Sequence, residues 1–311
     1  MRTRVAESVA DVQAYVEAWN AVTPDEPASV EKQVRRRERD ARRLYLLAEH
    51  EETLVGCGFA GPSDSPDRGF VSPRVLPAAR RRGFGSMLLD ELTTHLARLG
   101  FTSASAHVDG ADEGSLAFAV AHGFAEVDRQ VEQVKPIGDE SEPVGLHGID
   151  VVTLEQRPEL LRASYELAVE AYADMATASP VTIGRDDWLD GDGADVPPGS
   201  FFAFADGEVI GMSGLCVVTG GGYEDGLTAV RRDWRRQGVA QALKRAKLAW
   251  AAEQGIEEIV TWTQRGNDGM RRLNERLGYT YRSVSLTVRA PLRPGPDGSS
   301  GKPWRPGGEG R

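Results

Sequence analysis

Four landmarks recur in this chain at one fixed separation. Gly83 and Gly238 lie 238 − 83 = 155 residues apart, and Gly123-Phe124 and Gly278-Tyr279 lie 278 − 123 = 155 apart. The candidate helix starts Asp112 and Asn267 share that spacing, as do Gly56 and Gly211 inside two apolar runs. One register for four landmarks indicates a tandem duplication. Two copies of so large a unit read as two similar domains rather than a solenoid, whose repeats run about 20 to 50 residues. The length of 311 residues agrees, since roughly 150 residues make one domain with its own core.

Each copy carries the same order of elements. In the second, Ile149 to Leu154 reads as a strand, Pro158 to Ala176 as a helix, and Phe201 to Ala205 with Glu208 to Val218 as a strand pair turning at Asp206-Gly207. Leu227 to Arg231 is the next strand, followed by a helix over Val239 to Glu253, a strand over Ile259 to Thr263, a helix over Asp268 to Leu277 capped by Asn267, and a closing strand over Tyr279 to Arg289. In the first copy the strands are Tyr45 to Ala48, Leu54 to Ala60, Phe70 to Leu76, Thr102 to His107 and Phe124 to Val134, with helices from Phe84 and from Asp112. These spans predict a domain over 1–135, a linker over 136–148 with prolines at 136 and 143, and a second domain over 149–290. The Pro- and Gly-rich end, 291–311, reads as a disordered tail, and Trp304 as a residue dangling within it.

Composition narrows the function. The net charge of −10 argues against nucleic acid as the main partner, because phosphate binding needs clustered Lys and Arg. The one basic run, Arg35 to Arg43, is interrupted by acids and carries a partial apolar stripe, so it reads as a solvated helix face. An acidic surface favours a cationic ligand such as an amine. No run reaches the 18 or so apolar residues of a membrane span and the start lacks a signal-peptide pattern, which places the chain in the cytoplasm with no membrane partner. Cys57 and Cys216 sit in strand-like runs and read as buried free thiols. The five histidines, all in the first half, lack metal-ligand spacing, so no metal is expected. His107, at the end of a strand, is the one considered as a base.

The chemistry begins at a strand-to-helix junction present in both copies. Val75 precedes Arg80-Arg81-Arg82-Gly83-Phe84-Gly85, and Val230-Arg231 precedes Arg235-Arg236-Gln237-Gly238-Val239-Ala240. The shared pattern, Arg-x-x-Gly-x-Gly/Ala, is weak alone: Arg305 to Gly310 matches it with no helix behind it. At a helix start it gains meaning. Unpaired N–H groups and about half a positive charge favour an anion there, small residues let oxygens approach the backbone, and Arg235 and Arg236 can pair with phosphates. The geometry suits a pyrophosphate, whereas the Walker and dinucleotide patterns are absent from this junction.

These residues, with Asn267-x-x-Met270-x-x-x-Asn274-x-x-Leu277-Gly278-Tyr279, resemble the GNAT superfamily of acyl-CoA-dependent N-acyltransferases, in particular its tandem two-domain members of the mycothiol synthase kind. The resemblance covers about residues 1–290 and is fullest in the second copy. It implies an α/β (α+β) fold of two tandem GNAT domains, each a mixed, mostly antiparallel, splayed sheet flanked by helices. It also implies acetyl-CoA as co-substrate, held by Ala229, Val230, Arg231, Arg235, Arg236, Gln237, Gly238, Val239, Ala240 and Asn267. Val75, Arg80, Arg81, Gly83 and Gly85 are the first-copy counterparts. The implied reaction is direct attack of an amine on the thioester, with a base, an oxyanion site and an acid but no covalent enzyme intermediate.

The resemblance places a carboxylate base beside the fourth strand. Glu224 and Asp225 stand there, either as base or as exposed turn carboxylates, and 155 residues earlier the chain has Gly69 and Phe70. The family's tyrosine acid is replaced by Asn274 and, in the first copy, by Ala119, neither of which can donate a proton as tyrosine does. Tyr279, Tyr223 and Tyr281 are the substitutes, with Tyr279 also suited to core packing and a bound water as the alternative donor. The sequence therefore predicts an N-acetyltransferase for a small-molecule amine, active in the C-terminal domain, with a degenerate N-terminal domain and a monomer or homodimer as assembly. The alternatives are a non-catalytic acyl-CoA-binding or sensing protein and an acetyltransferase for protein lysines or N-termini.

Overall fold

The sequence register of 155 holds at the level of backbone. In the computed structural model, which describes residues 2–24, 27–63, 67–140, 145–175, 184–185, 188–189, 196–218 and 221–293, the first half runs β1 (Arg2–Val5), α1 (Val9–Val22), α2 (Val30–Arg39), β2 (Leu44–His50), β3 (Thr53–Pro62), β4 (Arg68–Val75), α3 (Phe84–Arg98), β5 (Ser103–Asp109), α4 (Glu113–Ala121) and β6 (Ala125–Pro136). The second runs β7 (Asp150–Thr153), α5 (Leu160–Ala163), α6 (Tyr165–Ala173), β8 (Phe201–Ala205), β9 (Glu208–Val217), β10 (Tyr223–Val230), α7 (Val239–Glu253), β11 (Glu258–Gln264), α8 (Asp268–Arg276) and β12 (Thr280–Pro291). From β3 to β6 and from β9 to β12 every element start is offset by 155 (208 − 53, 223 − 68, 239 − 84, 258 − 103, 268 − 113, 280 − 125), so this stretch duplicated without insertion.

Two predicted elements differ. The helix expected over 158–176 is split at Ser164, because the Leu161 carbonyl is taken by Ser164 Oγ at 2.9 Å and by the Trp188 indole N–H at 3.0 Å instead of by the helix ladder. The strand expected from Leu227 begins at Tyr223, where β10 gains partners on both edges.

The described residues form two compact units. In the first, β1-β2-β3-β4-β5 pair in that order, antiparallel except for the parallel pair β4 and β5. In the second the order is β7-β8-β9-β10-β11-β6, antiparallel except for β10 and β11. Each unit is thus a mixed, mostly antiparallel sheet flanked by helices. The apolar stripe of α3, Leu88, Leu89, Leu92 and Leu96, is buried against Val71 and Ala104, while α1 sets Val12, Tyr15 and Val16 on Tyr45, Leu47 and Cys57. In the second unit strand alternation divides the core. Phe202 and Met212 meet α6, and Ala203 and Ile210 meet Val239 and Leu243 of α7.

The unit boundaries fall elsewhere than the sequence boundaries at 135 and 149. Asp128 onward in β6 belongs to the second unit, paired along β11, and β12 from Thr287 belongs to the first, with Val288 and Ala290 in its core. Each half's closing strand therefore counts, in part, with the other unit. Trp304 and the tail from 294 lie outside the described residues, as does 141–144 of the linker. No helix among the described residues is long and apolar enough to cross a membrane. Cys57 is buried as expected, and its thiol is pushed up to about 12 by desolvation, whereas Cys216 is only half-buried. Of the Arg35–Arg43 run, Arg35 to Arg39 close α2 (Val30–Arg39), which has no buried residue, while Asp40 to Arg43 lie beyond the helix in the turn before β2.

Candidate functional site

A strand pair that parts creates the site. In the second unit β10 and β11 are paired in parallel only at Tyr223–Ile259 and Glu224–Val260. Beyond that point β10 continues along β9 alone, with a register shift between Asp225 and Thr228, so its edge toward β11 has no strand partner. At this bulge a Cβ on Gly226 would stand 3.2 Å from Cys216 Sγ and 3.4 Å from Gly214 Cα, a tight fit that a glycine avoids. A cleft of about 380 Å3 opens between the diverging strands, bounded by Glu224 to Thr228 on one side and Thr261 to Gln264 on the other, with Lys244, Asn267 and Tyr172 completing its wall.

At the open end, β10 runs through a short 3-10 turn, Arg232–Trp234, into α7. Gly238 sits just before the helix at φ +89°, a left-handed conformation that a Cβ strains, with no side chain within 3.5 Å of that position. Arg236 also has positive φ, +67°. No side chain caps α7, whereas α1, α2, α4 and α8 are capped by Ser8, Ser29, Asp112 and Asn267. The first-turn N–H groups of α7 are therefore left for an anion. The first unit repeats the turn: β4 and β5 pair only from Arg68–Ser103 to Phe70–Ser105, Gly83 caps α3 at φ +88° without a side-chain bond, and Arg81 has φ +62°.

The arginines do different work from the one expected. Arg235 Nε donates to the Val230 carbonyl at 2.9 Å, and its guanidinium is 2.7 Å from Asp174 and 3.5 Å from Glu170, so it braces the turn onto α6 rather than standing free for phosphate. Arg80 Nε makes the matching bond to Val75 at 3.2 Å. Arg231 turns away toward β9, donating to the Val209 carbonyl at 3.0 Å and pairing with Glu208 at 3.2 Å. Gln237 closes the turn through the Asp233 carbonyl at 2.8 Å. Arg236 is exposed beside the helix start. Val239 and Ala229 are core residues, 2% and 5% exposed, and Val230 and Ala240 pack on the core with half-buried side chains. Gly85 lies against Phe118, whose ring carbon would be 3.2 Å from a Cβ, so its smallness serves helix packing. Asn267 both caps α8, accepting from Met270 N–H at 3.3 Å, and lines the cleft.

Two catalytic candidates are corrected. The Asp225 carboxylate is about 1% exposed and held between two buried lysines, Lys244 at Oδ2 and Lys247 at 2.5 Å from Oδ1. Although burial alone would raise it, the two ammonium groups hold this carboxyl down at about 2, far too weak a base for neutral pH. Tyr279 donates its hydroxyl to Asp225 Oδ2 at 3.1 Å, its ring lies 4.9 Å from Lys244 Nζ, and burial raises its ionisation well above that of an ordinary phenol. It is not among the cleft residues, so it is placed as a structural donor and not as an acid. Glu224 lines the cleft and is half-buried. Tyr281 is exposed and bonded to Glu275 at 2.5 Å. Asn274 is fully buried, giving its amide N–H to Gln133 Oε1 at 3.0 Å. In the first unit, His107 stacks edge-on against Phe70 at 5.1 Å between centroids. Among the described residues no group of three or more His, Cys, Asp or Glu could hold a metal.

Sequence reasoning missed Lys244 and Lys247. Their signal was present: with Ala240, Leu243, Leu248 and Ala251 they fall at helical spacing on the stripe of α7 that faces the sheet. Lys247 is fully bonded, giving further hydrogen bonds to Ser213 Oγ at 2.8 Å and the Gly214 carbonyl at 3.0 Å. In the duplicate register the residues Asp225, Lys244, Lys247 and Tyr279 correspond to Phe70, Leu89, Leu92 and Phe124. One copy filled this position with apolar side chains and the other with a charged cluster.

A family profile described as "Acetyltransferase (GNAT) family" matches the chain over residues 12–124 and again over 161–279. The chain is 27% identical over 294 residues to a mycothiol acetyltransferase of Thermomonospora curvata, covering 91% of this chain and 94% of that one. It is 24% identical over 254 residues to a mycothiol acetyltransferase of Catenulispora acidiphila, covering 77% and 78%. Among solved structures, a GCN5-related N-acetyltransferase from Sphaerobacter thermophilus superposes with a TM-score of 0.74 at 20% identity, over 97% of this chain and 98% of that one. A tandem GNAT protein from the clavulanic acid biosynthesis pathway gives 0.73 at 20% identity, over 94% and 99%. Likeness at that identity speaks for the fold.

Proposed function

Because the chain belongs to the acetyltransferase (GNAT) family, we propose that its second unit transfers an acetyl group from acetyl-CoA to the primary amine of a small molecule. The observation that carries this reading is the parting of β10 from β11 above an uncapped helix start, which leaves a free strand edge and free N–H groups in one cleft. The N–H groups at the start of α7 would hold the pyrophosphate, and the edge of β10 from Asp225 to Val230 would pair with the amide-bearing arm. Acetyl-CoA, when bound, supplies the activated acyl group. Glu224 is the residue this chain offers as base: it is half-buried and lines the cleft at the point where β10 and β11 stop pairing. The cleft's threonine, glutamine and asparagine side chains would orient the amine.

The first unit keeps the turn but has Gly69 and Phe70 where the second has Glu224 and Asp225, which fits a degenerate copy. Calorimetric titration of acetyl-CoA into wild type, Gly83→Val and Gly238→Val tests the assignment. Loss of binding in Gly238→Val alone supports a single site in the second unit. Binding unaltered in that variant refutes the phosphate turn. CoA release on a panel of an amino sugar, a polyamine and an amino-acid amine then tests transfer, and cofactor binding without transfer to any amine would favour a sensing protein instead.

A further inference from the structure

The cleft of the second unit contains a buried cation whose three donors are not all matched among the described residues. Lys244 is 1% exposed, yet it lines the cleft. An ammonium group has three N–H donors. Among the described residues its one hydrogen-bond acceptor is Asp225 Oδ2, and the face of Tyr279 lies 4.9 Å from Nζ. Lys247, on the same helix, has Asp225 Oδ1, Ser213 Oγ and the Gly214 carbonyl around it and does not line the cleft. The cluster therefore holds two lysines and one carboxylate, an excess positive charge in a buried place, and the under-bonded member of the pair is the one at the cleft wall. Such a charge is costly unless an anion completes it.

The place of Lys244 along the cleft says which anion. Its partner Asp225 directly follows Glu224, where β10 and β11 stop pairing, so Lys244 stands at the vertex of the parted strands. Val230, which leads into the helix start that suits a pyrophosphate, lies at the open end of β10, five residues or about 17 Å of strand from Asp225. This inference rests on the acyl-CoA reading above: with the phosphates at the open end and the arm along β10, the sulfur end reaches the vertex.

We propose that Lys244 is the positive charge toward which the CoA thiolate departs. The amine nitrogen forms its bond to the acyl carbon, the carbon–sulfur bond breaks with its electron pair left on sulfur, and the amine proton passes to Glu224. The thiolate is balanced by the Lys244 ammonium, so no protonated tyrosine at the Asn274 position is needed. Lys244 touches Asp225 of β10, which also holds Lys247 and the Tyr279 hydroxyl, and Glu224 lines the same cleft one residue earlier on β10. Asp225 carries one negative charge between two ammonium groups, so the cluster keeps a net positive charge where Lys244 meets the cleft.

The test needs no acceptor amine. CoA itself, in its thiol form, is bound to wild type, Lys244→Met and Lys244→Arg, binding is fixed by calorimetry, and ionisation of the bound thiol is followed by thiolate absorbance against pH. A cation within ion-pair reach lowers an acid by about 1 to 3 units. The thiol on wild type should therefore ionise at least one unit below free CoA, lose that shift in Lys244→Met and regain most of it in Lys244→Arg. Lys244→Met leaves a one-to-one Asp225–Lys247 pair, which favours its folding. Should it still fail to fold, wild-type protein alone decides: bound CoA that ionises like free CoA overturns the proposal. So does a Lys244→Met complex that retains the wild-type shift. Absence of CoA binding to wild type would overturn the acyl-CoA reading along with it, and is told apart from the other outcomes by the calorimetry.

Discussion

Replacing Asp225 with Asn should damage the second unit more than removing either lysine. The carboxylate is about 1% exposed and balances Lys244 and Lys247 at once, so the amide leaves two buried ammonium groups without a counter-charge. Breaking a buried pair by removing one partner costs about 3 to 5 kcal/mol, and here the missing partner serves two lysines. At roughly 2 to 4 °C per kcal/mol for a unit of this size, the melting transition should fall by about 6 to 20 °C. The complementary experiment copies the other half of the chain. Asp225→Phe, Lys244→Leu, Lys247→Leu and Tyr279→Phe together install the residues found 155 positions earlier, where Leu92 is fully buried in an apolar core. Exchange of a whole buried ionic cluster for well-packed apolar side chains ranges from neutral to about 4 kcal/mol stabilising, less the overpacking that the larger ring at position 225 brings. Thermal melts by circular dichroism with chemical denaturation would read both. If Asp225→Asn melts within 2 °C or so of wild type, or if the quadruple variant is the less stable of the two, the cluster is not balanced as described.

Other perturbations separate the parts of the site. Glu224→Gln should depress kcat by about 10²- to 10⁴-fold while calorimetric affinity for acetyl-CoA stays at the wild-type value, and equal turnover would remove Glu224 as base. Gly238→Val places a β-branched residue at φ +89°, and the strained turn should weaken acetyl-CoA binding at least tenfold with only local loss of stability. Burial pulls Lys247 down to about 8 from its ordinary value near 10.5 despite the opposing pull of Asp225. The unfolded chain then binds more protons between pH 8 and 10.5, so stability should rise with pH across that window, and Lys247→Met should flatten the rise in denaturant titrations. Asp225 acts at the other end: its folded value of about 2 lies below that of the unfolded chain, so its stabilisation is present above pH 4 and is lost as pH falls toward 2.

Much of the fold was legible because the repeat doubled every signal. A strand glycine, a positive-φ helix start and a capped helix at one spacing fixed the order of elements, and the helix predicted over Val239 to Glu253 was found with those ends. What escaped were features decided by tertiary partners. The helix break at Ser164 depends on Trp188 reaching the Leu161 carbonyl, a contact between residues 27 apart that no local propensity encodes. The crossing of the closing strands is similar: β6 and β12 have the same pattern, and sequence pattern alone does not say on which sheet each is completed.

The site was legible as backbone and illegible as charge. Glycines, small residues and caps report conformation directly, so the turn at Gly238 and the role of Asn267 could be read from residue type. A carboxylate's role depends on what surrounds it, and adjacent Glu224 and Asp225 have opposite fates because alternate strand residues face opposite sides. Asp225 points at the α7 stripe, where the two lysines stand in place of Leu89 and Leu92 of the first copy. Lysine on an apolar stripe is the readable mark of such a cluster, since an ammonium group is buried there only with a partner. Comparing the two copies position by position therefore locates the chemistry better than either copy alone: shared residues mark the scaffold that both units need, and Asp225, Lys244, Lys247 and Tyr279, absent from the first copy, mark what the second unit alone has to do.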